Sequence, residues 1–480
     1  MMNSRIIDVI DSKKDKLITL ADSIWDCPET AFTEFNSVEL LCDALESEGF
    51  TVEKGVGGVP TAFTGSFGSG KPVIGILGEF DALSGLSQVS AVAEKQPLVP
   101  GANGHGCGHH LLGTAGVAAA IAIKDYLETT GRQGTVVFFG CPGEEGGSGK
   151  AFMAREGVFD SLDCALSWHP DATTNAWSGS TLANVQVSYK FKGVAAHAAA
   201  VPHLGRSALD AVELMNVGVN YLREHVIPEA RMHYAVTNTG GFSPNVVQAE
   251  AEVLYLIRAP KNAQVQEIYK RINKIAQGAS LMTETELEID FIKACSNIIP
   301  NNVLEKLFDE TLREIPHPEY TQDEIELAEK FRATSPNKGG TAGSYAEKVS
   351  GADNKKEMLA LADKALIDRV MPYIPSEAAM PGSSDVGDVS WVCPTAQINV
   401  ACYAADTPGH SWQLVAQGKL GPAHKGMLYA GKVMATAAIK LMENPQLIAQ
   451  AKEEHKMRVG DGYICPIPQG VQPRAIAPKK

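Results

Sequence analysis

The chain has 480 residues, 44% of them hydrophobic and 20% charged, enough to bury a large core and too many for one ordinary domain, so two domains are expected. A net charge of −14 leaves no electrostatic footprint for a polyphosphate partner, and nucleic acid is excluded as an expected ligand. Nine cysteines with no dense short spacing fit a reducing compartment, and neither a signal-peptide core in Met1–Lys16 nor any run of about 18 apolar residues is present, so a cytoplasmic protein that does not enter a membrane is expected.

In chain order, apolar residues recur at helical spacing from Asp8 to Glu48, with Ile18, Ala21, Ile24 and Trp25 on one face and Leu40, Leu41 and Leu45 on the next, which predicts two helices. Short apolar runs then alternate with helical segments: Val73 to Leu77, a helix from about Leu112 to Leu127, Val136 to Phe139, and Ala165 to Trp168. Alternation of this kind predicts a sheet with crossover helices. Near Leu182 the pattern becomes strictly alternating through Val185, Val187, Tyr189 and Phe191, and a new unit begins. It continues with a helix from about Ala208 to Val226, strands around His233 to Thr237 and Ala251 to Ile257, a helix near Val265 to Gln277, and a strand at Leu287 to Ile292. That order is a small β-α-β-β-α-β domain inserted into the first. Helical patterning returns after Pro300. The polar stretch Ala333 to Lys356 reads as an exposed loop, and a run at Ala396 to Tyr403 and a helix from about His424 to Met442 complete the chain.

The densest chemical cluster is Asn103-Gly-His105-Gly-Cys107-Gly-His109-His110, three imidazoles and a thiol at a helix entrance. Cys107 and His109 flank one glycine, so a turning backbone can aim both at one metal ion; the alternative is a glycine-rich turn with incidental histidines. The second element, Cys-Pro-Gly-Glu144-Glu145-Gly-Gly-Ser, sets adjacent carboxylates just after a predicted strand. They repel unless a cation lies between them: one can then ligate it while the other accepts a proton from the attacking water, and otherwise both are solvated loop charges. His169 follows the run Ala165 to Trp168, and Asp406-Thr-Pro-Gly-His410 follows the run ending at Tyr403, two further strand-end positions in an α/β unit. Gly65-Ser-Phe-Gly-Ser-Gly70-Lys71 mimics a phosphate loop, but Pro72 follows it and a strand comes next. The segment ending at Lys150 has Glu144 where the first glycine belongs. A nucleoside triphosphatase is excluded.

Taken with Gly-Glu-Phe-Asp81-Ala-Leu, His-Leu-Gly-Arg206-Ser-Ala-Leu-Asp, Ser-Pro-Asn245-Val-Val-Gln-Ala and Ser-Asp385-Val-Gly-Asp388-Val-Ser, these motifs resemble the M20 metallopeptidase family, in its aminoacylase-like branch, over nearly the whole chain. The resemblance implies an α/β, zinc-peptidase-like catalytic domain with a mixed sheet flanked by helices (residues 1–182 and 297–480) and an inserted α+β, ferredoxin-like lid and dimerisation domain (residues 183–296). It implies two divalent metal ions per subunit, Zn2+ or Mn2+, with Cys107 bridging and His109, Glu145, His169 and His410 as further ligands. Glu144 becomes the general base, and His197 of the lid steadies the oxyanion in the partner subunit's site. Asn245 and Arg258 bind a substrate carboxylate. The activity implied is hydrolysis of the amide bond of N-acyl or N-aroyl amino acids, with p-aminobenzoyl-glutamate the leading substrate. Alternatives are a dipeptidase, a general aminoacylase, or a non-catalytic partner subunit. A homodimer, or a heterodimer with a related subunit, is expected through the lid. The sequence departs from the branch at His110, where Asp is usual; Asp81 is the candidate to supply the missing supporting contact, and His424 is held in reserve should His410 point elsewhere.

Overall fold

The computed structural model describes residues 2–475. Two sheets organise it. The larger has seven strands in the spatial order Thr51–Lys54, Phe63–Ser69, Gly134–Cys141, Val73–Glu79, Cys164–Asp171, Thr395–Ala401 and Asn175–Ala176. The central four are mutually parallel, and the flanking pairs are antiparallel. The sheet is therefore mixed, and the carboxyl ends of its parallel strands share one edge. Its inner strands are apolar on both faces, as burial by helices on each side requires. The long helices His109–Thr130 and Gly421–Glu443 cover one face, where Leu112, Ala115, Ala119, Met427, Val433 and Met434 are fully buried.

The smaller sheet is antiparallel, ordered Glu286–Cys295, Ala183–Lys192, Glu250–Ala259, Arg231–Asn238, with helices Ala208–Leu222 and Asn262–Thr283 against one face. Val185, Val187, Tyr189, Val253, Tyr255 and Ile257 alternate into that interface with Met215, Val219, Ile268 and Ile272. The β-α-β-β-α-β order of the inserted unit is as the residue pattern predicts.

Two expectations are corrected. The amino-terminal region forms three helices, Met2–Ser12, Lys14–Asp26 and Phe35–Ser47, because the backbone leaves helical geometry at Lys13 and again in the segment containing Pro28. The stretch expected as an exposed loop contains helices Gly340–Lys348 and Ala352–Ala360, which bury Ala342, Ala346 and Met358 in a small cluster with Leu361, Ile367 and Met371. Alanines four residues apart suffice for that packing, and the surrounding Gly, Ser, Asn and Lys conceal it. Among the described residues no helix is long and apolar enough to cross a membrane.

Candidate active site

Four parallel strands end at one place, and each sends on a polar side chain. Strand Val73–Glu79 delivers Glu79 and Asp81 on either side of the buried Phe80. The turn after Gly134–Cys141 carries Glu144 and Glu145; strand Cys164–Asp171 carries His169; and the loop after Thr395–Ala401 carries His410. Of these, Glu79, Glu144, Glu145, His169 and His410, with Cys107 from the loop entering helix His109–Thr130, border a cavity of about 390 Å³ whose opposite wall includes Asn184, Arg258 and Lys293 of the small sheet. Its size suits a small molecule.

The ligating atoms cluster in three overlapping groups, Cys107 with His109 and His169, Cys107 with Glu145 and His410, and Glu79 with His109 and Glu144, each within 4.8 Å. Cys107 belongs to two of them, as a bridging thiolate would. Cys107 Sγ lies 3.3 Å from His169 Nε2, and His410 Nε2 lies 3.3 Å from Glu145 Oε1. His169 Nδ1 donates to the Pro170 carbonyl at 2.8 Å, and His109 Nδ1 is 2.9 Å from Asp81 Oδ1. With a cation bound, Nδ1 would keep the proton in both rings and leave Nε2 free to ligate. His109 Nε2 and Glu145 Oε1 are buried with no well-formed hydrogen bond among the described residues, the first meeting Glu79 Oε2 and the second His410 Nε2, each at 3.3 Å. Atoms so poorly satisfied, beside a thiol and a second carboxylate, fit a soft divalent cation.

Electrostatics point the same way. Burial, then Glu79, Glu145 and Asp385, hold the Glu144 carboxyl well above the usual carboxylate range. Burial and Glu145 likewise hold the Cys107 thiol high, conditions that a cation would reverse. Burial also acts to raise Glu145, but the contact with His410 and the charge of His109 bring it down to about 2.

Asp81 does double duty, since its second oxygen accepts from the backbone N–H of Glu145 at 3.0 Å and ties two strand ends together. It supplies the carboxylate that His110 cannot. His110 does not border the cavity and instead bonds the Gly418 carbonyl at 3.0 Å, its ring tilted against that of His105, which bonds the Ile24 carbonyl at 3.0 Å. Neither ring joins a ligand group. His424 pairs with Asp22 at 2.8 Å and does not border the cavity, whereas His410 does. The His410 backbone has φ +52°, a left-handed conformation costly for a non-glycine residue. Nearby Asp406 anchors that loop, accepting from Arg332 and from the Gly339 and Thr341 N–H groups.

Arg258 borders the cavity; His197 and Asn245 do not. The latter two sit together on the exposed surface of the inserted unit, joined by a bridge between His197 and Val246 and by the Ala198 N–H donating to the Asn245 carbonyl. His197 Nδ1 accepts from the Ala199 and Ala200 N–H groups, which puts the ring proton on Nε2.

Sequence reasoning missed the ion triad beneath Glu144. Lys150, wholly buried, lies 2.6 Å from both Glu79 and Asp385. Its signal was a lone charge among Ser148, Ala151, Phe152 and Met153, which appeared only as a false phosphate loop. Lys293, Trp177 and Asn184 on the cavity wall carried no local signal.

A family model for a peptidase dimerisation domain matches residues 180–281. Over 475 residues, covering 98% of each chain, the sequence is 52% identical to the B-type component of p-aminobenzoyl-glutamate hydrolase from Escherichia coli. Xaa-Arg dipeptidase of Mus musculus is 29% identical over 338 residues, 68% of this chain and 74% of that one. A dinuclear metal-binding peptidase of the M20 family from Bacillus subtilis superposes with a TM-score of 0.53 at 15% identity, covering 90% of this chain and 99% of that one, a likeness of fold.

Proposed function

The chain belongs to the M20 peptidase family, and from that premise we propose that it is a two-metal amidohydrolase that cleaves N-aroyl amino acids, p-aminobenzoyl-glutamate foremost, into arene carboxylate and amino acid. The observation that carries this reading is the meeting of Cys107, His109, Glu145, His169 and His410, drawn from distant parts of the chain, in overlapping clusters of ligating atoms, one of which includes Glu144.

In this reading those five side chains would hold two divalent ions, zinc or manganese; thiol and imidazole donors favour zinc. When bound, the ions polarise the amide carbonyl and acidify the attacking water. Glu144 takes the proton from that water and delivers it to the leaving nitrogen, a task suited to a carboxyl whose surroundings push its proton affinity up. Lys150, through Glu79 and Asp385, fixes the floor under Glu144. Arg258 binds a substrate carboxylate, for which its planar fork is matched.

Residues 183–296 serve as lid and dimerisation domain. His197 and Asn245 are too far from their own chain's cavity to line it, and their shared exposed position suits delivery to a partner's site. There the proton on His197 Nε2 would steady the oxyanion. A stripe of Leu214, Val217 and Tyr221, exposed on helix Ala208–Leu222, and the open edge strand Arg231–Asn238 with Tyr234 and Val236 offer the surface for pairing, either with a second copy or with a related subunit. The complete set of ligands and base favours a catalytic chain over a supporting one. The decisive variant is Glu144→Gln, which keeps the side chain's size: kcat on p-aminobenzoyl-glutamate should fall by on the order of 10²- to 10⁴-fold with metal content intact. Loss of metal along with activity would show that Glu144 is a ligand instead.

A further inference from the structure

The cavity has a cationic wall that the hydrolytic chemistry does not require. In strand Glu286–Cys295, the side chains of Leu287, Ile289 and Phe291 pack toward the helices of the inserted unit. Strict alternation would send Lys293 the same way. Instead the register slips: Phe291 pairs with Val187, but Lys293 pairs with the next residue along, Gln186. After this bulge Ala294 enters the helix-side core, and Lys293 and Cys295 line the cavity. Asn184, which pairs with both Cys295 and Arg258 on the neighbouring strands, completes the same wall. A one-residue insertion thus re-aims a lysine that would otherwise spoil an apolar interface.

Lys293 is only 7% exposed and makes no ion pair among the described residues. Lining the cavity with no carboxylate partner, its amino group is placed to meet an anion that enters from outside. Arg258 stands on the same wall, and the Trp177 Nε1 and Ser383 Oγ atoms of cavity-lining residues are buried without hydrogen-bond partners among the described residues. Two cations and two idle donors describe a receptor for a dianion.

We propose that Lys293 is a specificity residue that binds the side-chain carboxylate of the substrate's amino-acid half while Arg258 binds its α-carboxylate, so that the enzyme selects N-acylated acidic amino acids. This rests on the hydrolase reading above and sharpens it.

The test compares kcat/KM of the metal-loaded full chain on p-aminobenzoyl-glutamate and on p-aminobenzoyl-glutamine, which differ only in the charge at that position. The parent should favour glutamate by roughly 10- to 100-fold, the range of a charge-assisted hydrogen bond. Lys293→Met should bring that ratio to within about threefold of unity, and Lys293→Arg should keep most of it. Lys293→Gln, which retains the stem and a donor without the charge, gives the same reading if the methionine variant does not fold. A preference that survives loss of the charge, or an equal fall on both substrates, overturns the assignment in favour of a structural lysine. An active parent with no preference also overturns it, whereas a parent that hydrolyses neither compound overturns the hydrolase reading itself.

Discussion

Asp81 ties together two of the candidate ligands, one oxygen meeting His109 Nδ1 and the other accepting from the Glu145 backbone N–H. Asp81→Asn should therefore weaken metal affinity by roughly 10- to 100-fold, measured by competition with a chelator, while leaving the fold intact. Lys150 works differently. It is a wholly buried cation kept charged by Asp385 and Glu79 against the cost of burial. Lys150→Met leaves two carboxylates facing each other, and unfolding by denaturant should show a loss of about 3–5 kcal/mol. Asp388 gives a pH signature. Burial pushes it up to about 7, although Ser296 and Tyr463 donate to it. A folded value above the unfolded one means that the group's contribution to stability is complete below the ordinary carboxylate range and is lost as pH rises through about 7. The denaturation midpoint should fall as pH rises from about 4 to about 7 and level off above that, and Asp388→Asn, which cannot ionise, should flatten that slope.

At the scale of elements, the site depends on how a loop enters a helix. Gly108, at φ +77°, turns the chain between Cys107 and His109, and a Cβ there would run into the Tyr403 hydroxyl and the Pro170 ring. Gly108→Ala should displace both flanking ligands, seen as reduced metal content in a chain whose far-ultraviolet circular dichroism is nearly unchanged. The parallel strands, the long helices and the order of the inserted unit were legible in the sequence because each carries its own hydrophobic period. The candidate ligand motifs stood out because Cys107 with His109, and Glu144 with Glu145, lie close in sequence. Lys150 was opaque because its partners Glu79 and Asp385 meet it only after folding. Lys293 was opaque because a bulge, which leaves no mark on composition, decides which way it faces. The helices Gly340–Lys348 and Ala352–Ala360 hid in a polar stretch because alanine packing needs so little apolar surface.

For the molecule as a whole, the fold sets Arg258 and Lys293 of the inserted unit across a cavity from Cys107, Glu145, His169 and His410, and it leaves His197 and Asn245 on the outside of the same chain. If those residues complete a partner's site, chains carrying Glu144→Gln and chains carrying His197→Ala, each inactive alone, should regain about a quarter of parent activity when mixed and allowed to re-pair, since half the dimers then hold one intact site of two. No recovery in dimers that do exchange would assign His197 to its own chain. The claim on which everything else depends is the binuclear centre, and titrating chelator-stripped protein with zinc or manganese while following p-aminobenzoyl-glutamate hydrolysis tests it most directly. The account predicts negligible turnover in stripped protein and activity that saturates at two bound ions per chain by elemental analysis, whereas full turnover by metal-free protein would contradict it.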